Sequence, residues 1–321
     1  MTIDTHAHLF IREFYGEGLW NGYTRLNASW RPATVTQEEA EEEVRNTVLP
    51  SWWEDRDGLE HVWRMDEAGI EKCILLYIDF GFLFPREGAP SVVEQNRYIS
   101  EVVSKHPDRL IYFCGIDPRR DDAVDLFEKC FTEFGARGLK LYPSTGFLPA
   151  DKEVYPLYER AAAWGLPVYF HMGPQSPPYK NEGNTHPSLL LRVLVDFPEL
   201  TVVVAHLANE YWRDLLALGR VRENVYCDIS AKQIVAKENF GQFCHILRRY
   251  LDEFGKERVL FGTDAPLLER AASSSEWVDI VRGLPQNAPE DCRFTEQEIA
   301  DLMDGNASRL LATIPEASDL G

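Results

Sequence analysis

His6 and His8 form a His-Ala-His triplet near the N-terminus, His171 closes the run Val-Tyr-Phe-His, and Asp264 follows Leu-Phe-Gly-Thr. Three imidazoles and one carboxylate suit a borderline divalent cation, Zn²⁺ first and Mn²⁺ second, one ion per chain, with a position left for water or substrate. Residues i and i+2 of a strand point to one face, so His6 and His8 can reach the same ion. A lone His-x-His is weak evidence; the triplet, the later histidine and the aspartate together are hard to explain by packing. His206, ending Thr-Val-Val-Val-Ala-His, is one imidazole more than a tetrahedral site needs. It is assigned acid–base work, because a nearby cation keeps imidazole neutral and able to polarise a substrate oxygen or shuttle a proton. A second ligand is the alternative role.

These residues need a scaffold that brings distant segments to one place. Eight short apolar runs recur, roughly Thr2–His6, Lys72–Ile78, Leu110–Ile116, Gly138–Tyr142, Pro167–His171, Thr201–His206, Val225–Asp228 and Val259–Thr263, most of them separated by helical patterns. Ser91 to His106 ahead of Pro107, Pro187 to Phe197 ahead of Pro198, and a last helix beginning near Asn306 are examples. Eight βα units predict an α/β fold, a (β/α)8 TIM barrel over residues 1–321 as one domain, and the chemical residues fall at strand C-termini, where such a barrel carries its active site. A long insertion after the first strand, about 9–58, is expected over the mouth. It holds Trp20, Tyr23, Trp30, Trp52 and Trp53, which either pack the insertion down or touch substrate, and a solvated acidic helix around Glu-Glu-Ala-Glu-Glu-Glu.

Charge narrows the partners. With 33 basic and 52 acidic residues the net charge is −19, which disfavours nucleic acid and anionic membrane surfaces. The first residues lack a basic-then-apolar leader and no run of eighteen apolar residues occurs, so a cytoplasmic location is expected. Six scattered cysteines, without Cys-x-x-Cys, indicate buried thiols rather than a zinc cluster or disulfide scaffold. His61, His106, His186 and His245 fall away from strand ends and are read as structural or exposed.

The motifs Ile-Asp-Thr-His-Ala-His, Phe-His-Met-Gly, Ala-His-Leu-Ala-Asn, Phe-Gly-Thr-Asp-Ala-Pro and Gly-Asn-Ala-Ser-Arg-Leu-Leu, in that order, resemble the amidohydrolase superfamily, specifically its amidohydrolase-2 branch, over nearly the whole chain. That branch resembles aminocarboxymuconate-semialdehyde decarboxylase and holds hydrolases and non-oxidative decarboxylases. The resemblance implies that His6, His8, His171 and Asp264 bind the ion, that His206 is catalytic, that Asp264 also handles a water proton, and that the chain forms a homo-oligomer, by analogy a dimer.

Two departures stand out. Decarboxylases of the branch often have a glycine-rich stretch after the sixth-strand histidine; here the chain reads His206-Leu-Ala-Asn-Glu, which weighs against decarboxylation. Lys140, in Gly-Leu-Lys-Leu-Tyr-Pro, falls where other branches use a carboxylated lysine to bridge two metals; a substrate-facing or salt-bridged lysine is the blander expectation. Lys140, Tyr142, Asn209, Glu210 and Arg213 are taken as substrate contacts, with Arg12 as a further basic candidate. Asp228 and Ser230 are candidates for lining the pocket, but the aspartate could equally cap the next helix or anchor Lys232, and neither is placed in the catalytic set. The sequence favours a hydrolase of a small ester, lactone or amide, with a carboxy-lyase of a small aromatic or unsaturated acid as alternative and a non-catalytic binding barrel third.

Overall fold

Each of the eight apolar runs contains a strand in the computed structural model, which describes residues 1–174, 179 and 182–315. They are β1 (Ile3–Ala7), β2 (Lys72–Leu76), β3 (Leu110–Gly115), β4 (Leu139–Leu141), β5 (Val168–Phe170), β6 (Val202–Val204), β7 (Val225–Asp228) and β8 (Val259–Leu260). All are parallel and neighbour one another in sequence order. The edges of each strand are paired with its neighbours, helices cover the outer face and the inner face closes on the barrel core, so the strands read as continuous apolar runs rather than alternating ones. The seam is bridged by Thr5 N–H to Phe261 O at 2.9 Å, Asp264 N–H to His6 O at 2.7 Å and His8 N–H to Ala265 O at 2.7 Å. The fold is a (β/α)8 TIM barrel.

Helix limits follow the local signals. The helix Val92–Ser104 starts on a capping box in which Ser91 and Glu94 satisfy each other's backbone N–H, and it ends before Pro107. The expected helix after Pro187 opens with a single tight turn and becomes α-helical over Leu190–Asp196. The last helix runs Asn306–Ala312.

Between β1 and the helix Leu59–Ala68, the segment 9–58 folds into α1 (Glu17–Ser29), α2 (Gln37–Glu43) and α3 (Leu49–Trp53). Its tryptophans divide their work. Trp20 and Trp52 are buried, the first edge-on to Trp53 at 5.2 Å and the second stacked on Phe10 at 5.5 Å. Tyr23, Leu26 and Trp30 on and just after α1 instead face a pocket at the strand C-termini. α2 is the expected acidic helix, capped by Thr36 and Glu39. All six cysteines are buried free thiols, and among the described residues no helix is long and apolar enough to cross a membrane.

Candidate metal centre and its pocket

The alternation of β1 aims both histidines of the triplet into the barrel mouth. His6 Nε2 and His8 Nε2 lie 3.2 Å apart, and Asp264 Oδ1 stands 3.6 Å from the first and 3.2 Å from the second. Asp264 reaches this point because its backbone is held at φ 60°, its N–H bonded to His6 O. His171, at the end of β5, is partly exposed on the same pocket, its ring stacked on Tyr142 at 4.3 Å and edge-on to His206 at 4.9 Å. It lies outside the cluster in which the donor atoms of His6, His8 and Asp264 are within 4.8 Å of one another.

The outer nitrogens explain why this cluster suits a cation. His8 Nδ1 donates to Leu76 O at 2.7 Å, and His6 Nδ1 donates to Asp228 Oδ2 at 2.9 Å. With both Nδ1 atoms protonated, both Nε2 lone pairs face each other and a carboxylate oxygen, an arrangement that is repulsive until a positive charge sits among them. Burial, then Lys140 and His8, drive the His6 pKa well below the usual imidazole value, so the ring is poorly suited to hold that charge as a proton. The residues therefore fit a divalent ion.

Asp228 organises the rest. Besides His6 it accepts from the Tyr169 hydroxyl, from His206 N–H at 3.1 Å and from Ser230 N–H at 2.8 Å, as well as from the Ser230 hydroxyl. Since that hydroxyl gives its proton to Asp228, its oxygen accepts from His206 Nδ1 at 2.8 Å. The His206 Nε2 lone pair is thereby left as the group's acceptor. Burial, reinforced by His6, brings the His206 pKa down to about 3 and keeps the ring neutral. The sequence left Asp228 between lining the pocket, capping the next helix and anchoring Lys232; the structure makes it the hub that orients two histidines. A carboxylate ending β7, with Ser two residues on, was the available signal.

The backbone after His206 takes the conformation of a glycine-rich stretch although it holds no glycine. His206, Leu207, Ala208 and Asn209 have φ of 61°, 48°, 55° and 50°. This is the left-handed region that glycine enters freely and that costs other residues on the order of 1–2 kcal/mol each. The chain adopts a glycine-like turn without glycine, so residue type there says nothing against decarboxylation.

The substrate candidates separate. Tyr142 and Asn209 line the pocket with Tyr23, Trp30, Tyr179 and Leu268; of these, the sequence argument named neither Tyr179 nor Leu268. Glu210 and Arg213 line an adjoining cavity instead. Lys140 lies below the floor, 1% exposed, with Nζ 4.8 Å from the Tyr169 ring centroid and no hydrogen-bond partner among the described residues. Among the described residues it makes no ion pair and lines neither cavity, and burial, against the attraction of Asp228 and Asp264, pulls its pKa down to about 8. Arg12 pairs with Glu17 at 2.6 Å away from the pocket. Among the other histidines, His61 is buried against Cys73, His106 bonds Asp57 O, His186 caps a turn and His245 faces Asp291.

A family model described as amidohydrolase matches residues 3–313. The chain belongs to the amidohydrolase family. No curated protein matches it. Among solved structures, the amidohydrolase chain resembles 5-carboxyvanillate decarboxylase from Sphingomonas paucimobilis at 19% identity and TM-score 0.67, covering 97% of this chain and 99% of that one. It also resembles a dihydroxybenzoic acid decarboxylase from Polaromonas sp. with bound manganese, at 19% identity and TM-score 0.63, covering 97% and 96%. A third is a probable 2-pyrone-4,6-dicarboxylic acid hydrolase from Acinetobacter baumannii, at 14% identity and TM-score 0.60, covering 97% and 99%.

Proposed function

We propose that this amidohydrolase is a metal-dependent, non-oxidative carboxy-lyase of a small aromatic or unsaturated carboxylic acid. The pocket carries the reading. It is a cavity of about 130 Å³ with His8, His171, His206 and Asp264 on its polar side and Tyr23, Trp30, Tyr142 and Tyr179 among its walls. A cavity near 150 Å³ takes up benzene, so the space suits one planar ring held between aromatic faces, its acid group turned to the donors. The likeness to two decarboxylases, one holding manganese, supports the same choice.

His6, His8 and Asp264 would hold a divalent ion, zinc or manganese, with His171 beside them. Once bound, the ion supplies Lewis-acid withdrawal of electron density from substrate oxygens. The chain's own residues do the rest. The aromatic walls exclude water and orient the ring. As the C–C bond breaks, its electron pair stays on the ring carbon and carbon dioxide leaves, so one proton must reach that carbon. His206 Nε2, held as an acceptor through Ser230, takes a proton from a substrate hydroxyl or from solvent and delivers it to that ring carbon; a hydroxyl that gave its proton regains one from solvent as the product leaves.

Hydrolysis of an ester, lactone or amide is the second reading, favoured by the Asp264 carboxylate in the cluster, which can take a proton from an attacking water, and by the likeness to the pyrone hydrolase. The partner in either case is a small molecule, and a homodimer is part of the proposal. The deciding experiment loads the protein with manganese or zinc and offers 2,6-dihydroxybenzoate, 5-carboxyvanillate and the lactone 2-pyrone-4,6-dicarboxylate. Carbon dioxide release that stops on chelation supports the lyase; ring opening without carbon dioxide supports the hydrolase. Failure to take up either metal sinks both and leaves a binding barrel.

A further inference from the structure

Beside the metal pocket lies a second cavity of about 680 Å³, and the two share Pro174, Asn209 and Ala231 on their walls. One cation on its wall is buried. Lys232, 4% exposed, is the first residue of the helix Lys232–Glu238. Both facts count against an ammonium group: burial strips its hydration, and a helix start presents the positive end of the peptide dipoles. Little compensates. Among the described residues Nζ makes one hydrogen bond, to Asn209 Oδ1 at 3.3 Å, although an ammonium can donate three. Burial pulls its pKa down to about 8 against the opposing field of Glu210. Glu210, Glu238 and Arg213 on the same wall are exposed and keep their water, with Arg213 lying over the Trp212 ring at 4.2 Å.

The hydrogen-bond partner is unusual too. Asn209 ends the left-handed run 206–209 and lines both cavities. A strained turn of this kind persists only where its surroundings over-determine it, and such strain concentrates at ligand-binding positions. Here the turn starts at His206, whose N–H is held by Asp228, and finishes with a side chain between the metal pocket and a buried amine short of acceptors.

We propose that Lys232, together with the Asn209 side chain, forms an anion subsite for a second carboxylate of the substrate. One end of the substrate lies at His6, His8 and Asp264, and the other passes Asn209 and accepts the remaining donors of Lys232. The inference rests on the metal pocket being the substrate site and adds the substrate class: dicarboxylates over monocarboxylates of the same ring.

The test uses the full chain loaded with manganese and titrates benzoate, isophthalate, terephthalate and homophthalate by calorimetry, in the native protein and in Lys232→Met and Lys232→Arg. A charge-assisted pair in a partly dry site predicts that at least one dicarboxylate binds ~10-fold or more tighter than benzoate. That preference should collapse below about threefold in Lys232→Met and return in part in Lys232→Arg, while benzoate affinity stays level. Independently of any variant's folding, the preferred dicarboxylate should shield Lys232 of the native protein from acetic anhydride at a pH just above about 8, where much of its amine is neutral, read by peptide mass spectrometry, and benzoate should not. No dicarboxylate preference in the native protein, a preference that survives Lys232→Met, or unchanged acetylation overturns the subsite. A protein that takes up no manganese overturns the metal-pocket reading instead, and lysine protection then judges the subsite alone.

Discussion

Asp228 Oδ2 lies 2.9 Å from His6 Nδ1, joining the end of β7 to β1 across 222 residues of chain and setting which nitrogen of His6 faces the pocket. The same carboxylate accepts the Ser230 hydroxyl and so fixes His206 as well. One buried acid thus orients the proposed ligand and the proposed proton carrier together.

Replacing it should be felt at the metal. Asp228→Asn keeps the volume but turns an acceptor-only group into one with two donors. By the usual weight of such supporting contacts, manganese affinity should fall about 10- to 100-fold. Titrating the metal-free variant with manganese under a competing chelator measures this, and native affinity in a folded variant would refute the role.

Gly262 supports the same geometry by being small. A Cβ there would lie 2.9 Å from His6 Cβ and 3.2 Å from Ser230 Cβ. Gly262→Ala should therefore cost about 1–3 kcal/mol of stability through overpacking and displace His6. The expected signature in denaturant unfolding with and without manganese is a larger loss in the metal-loaded protein, since both the fold and the ligand position suffer; an unchanged midpoint in both would show that the neighbours simply give way.

Lys140 makes the opposite kind of prediction. Its amine has the Tyr169 ring below it and no hydrogen-bond partner among the described residues. Its burial outweighs the attraction of Asp228 and Asp264, and replacing such a buried ionic group by an apolar chain of similar length is often neutral or stabilising by about 1–4 kcal/mol. Lys140→Met is expected to raise the urea midpoint of the metal-free protein. A fall of more than about 1 kcal/mol would mean that the amine holds the site together instead.

Far from the pocket, Glu298 gives a pH dependence. Arg248 hydrogen-bonds it, and the capping box with Thr295 adds to this, depressing its pKa from 4.5 to about 2. A depressed carboxylate contributes stability that is present above its unfolded value and is lost as pH falls through the folded one. Native protein should thus exceed Glu298→Gln by on the order of 1 kcal/mol at neutral pH, and the gap should shrink between pH 4.5 and about 2. Urea melts at a series of pH values give the difference directly, and a gap that widened on acidification would reverse the assignment.

Local order in this protein is written locally. Apolar runs, capping boxes at Ser91 and Thr36, and a proline such as Pro107 placed the eight strands and the limits of several helices, because each depends on neighbours within a few residues. The two-residue period of β1 put His6 and His8 on one face, and strand ends pointed to His171, His206 and Asp264 at the pocket. Tertiary structure decided what depends on segments far apart in the chain. It made Asp228 a hub for two histidines, gave 206–209 a glycine-like turn without glycine, and set Tyr142 in one cavity and Glu210 and Arg213 in another with Asn209 on the wall of both. The physical reason is that a side chain's neighbours across a barrel are set by closure and register, which residue type and spacing do not encode; only when β8 meets β1 do His6, Asp228 and Asp264 acquire one another as partners.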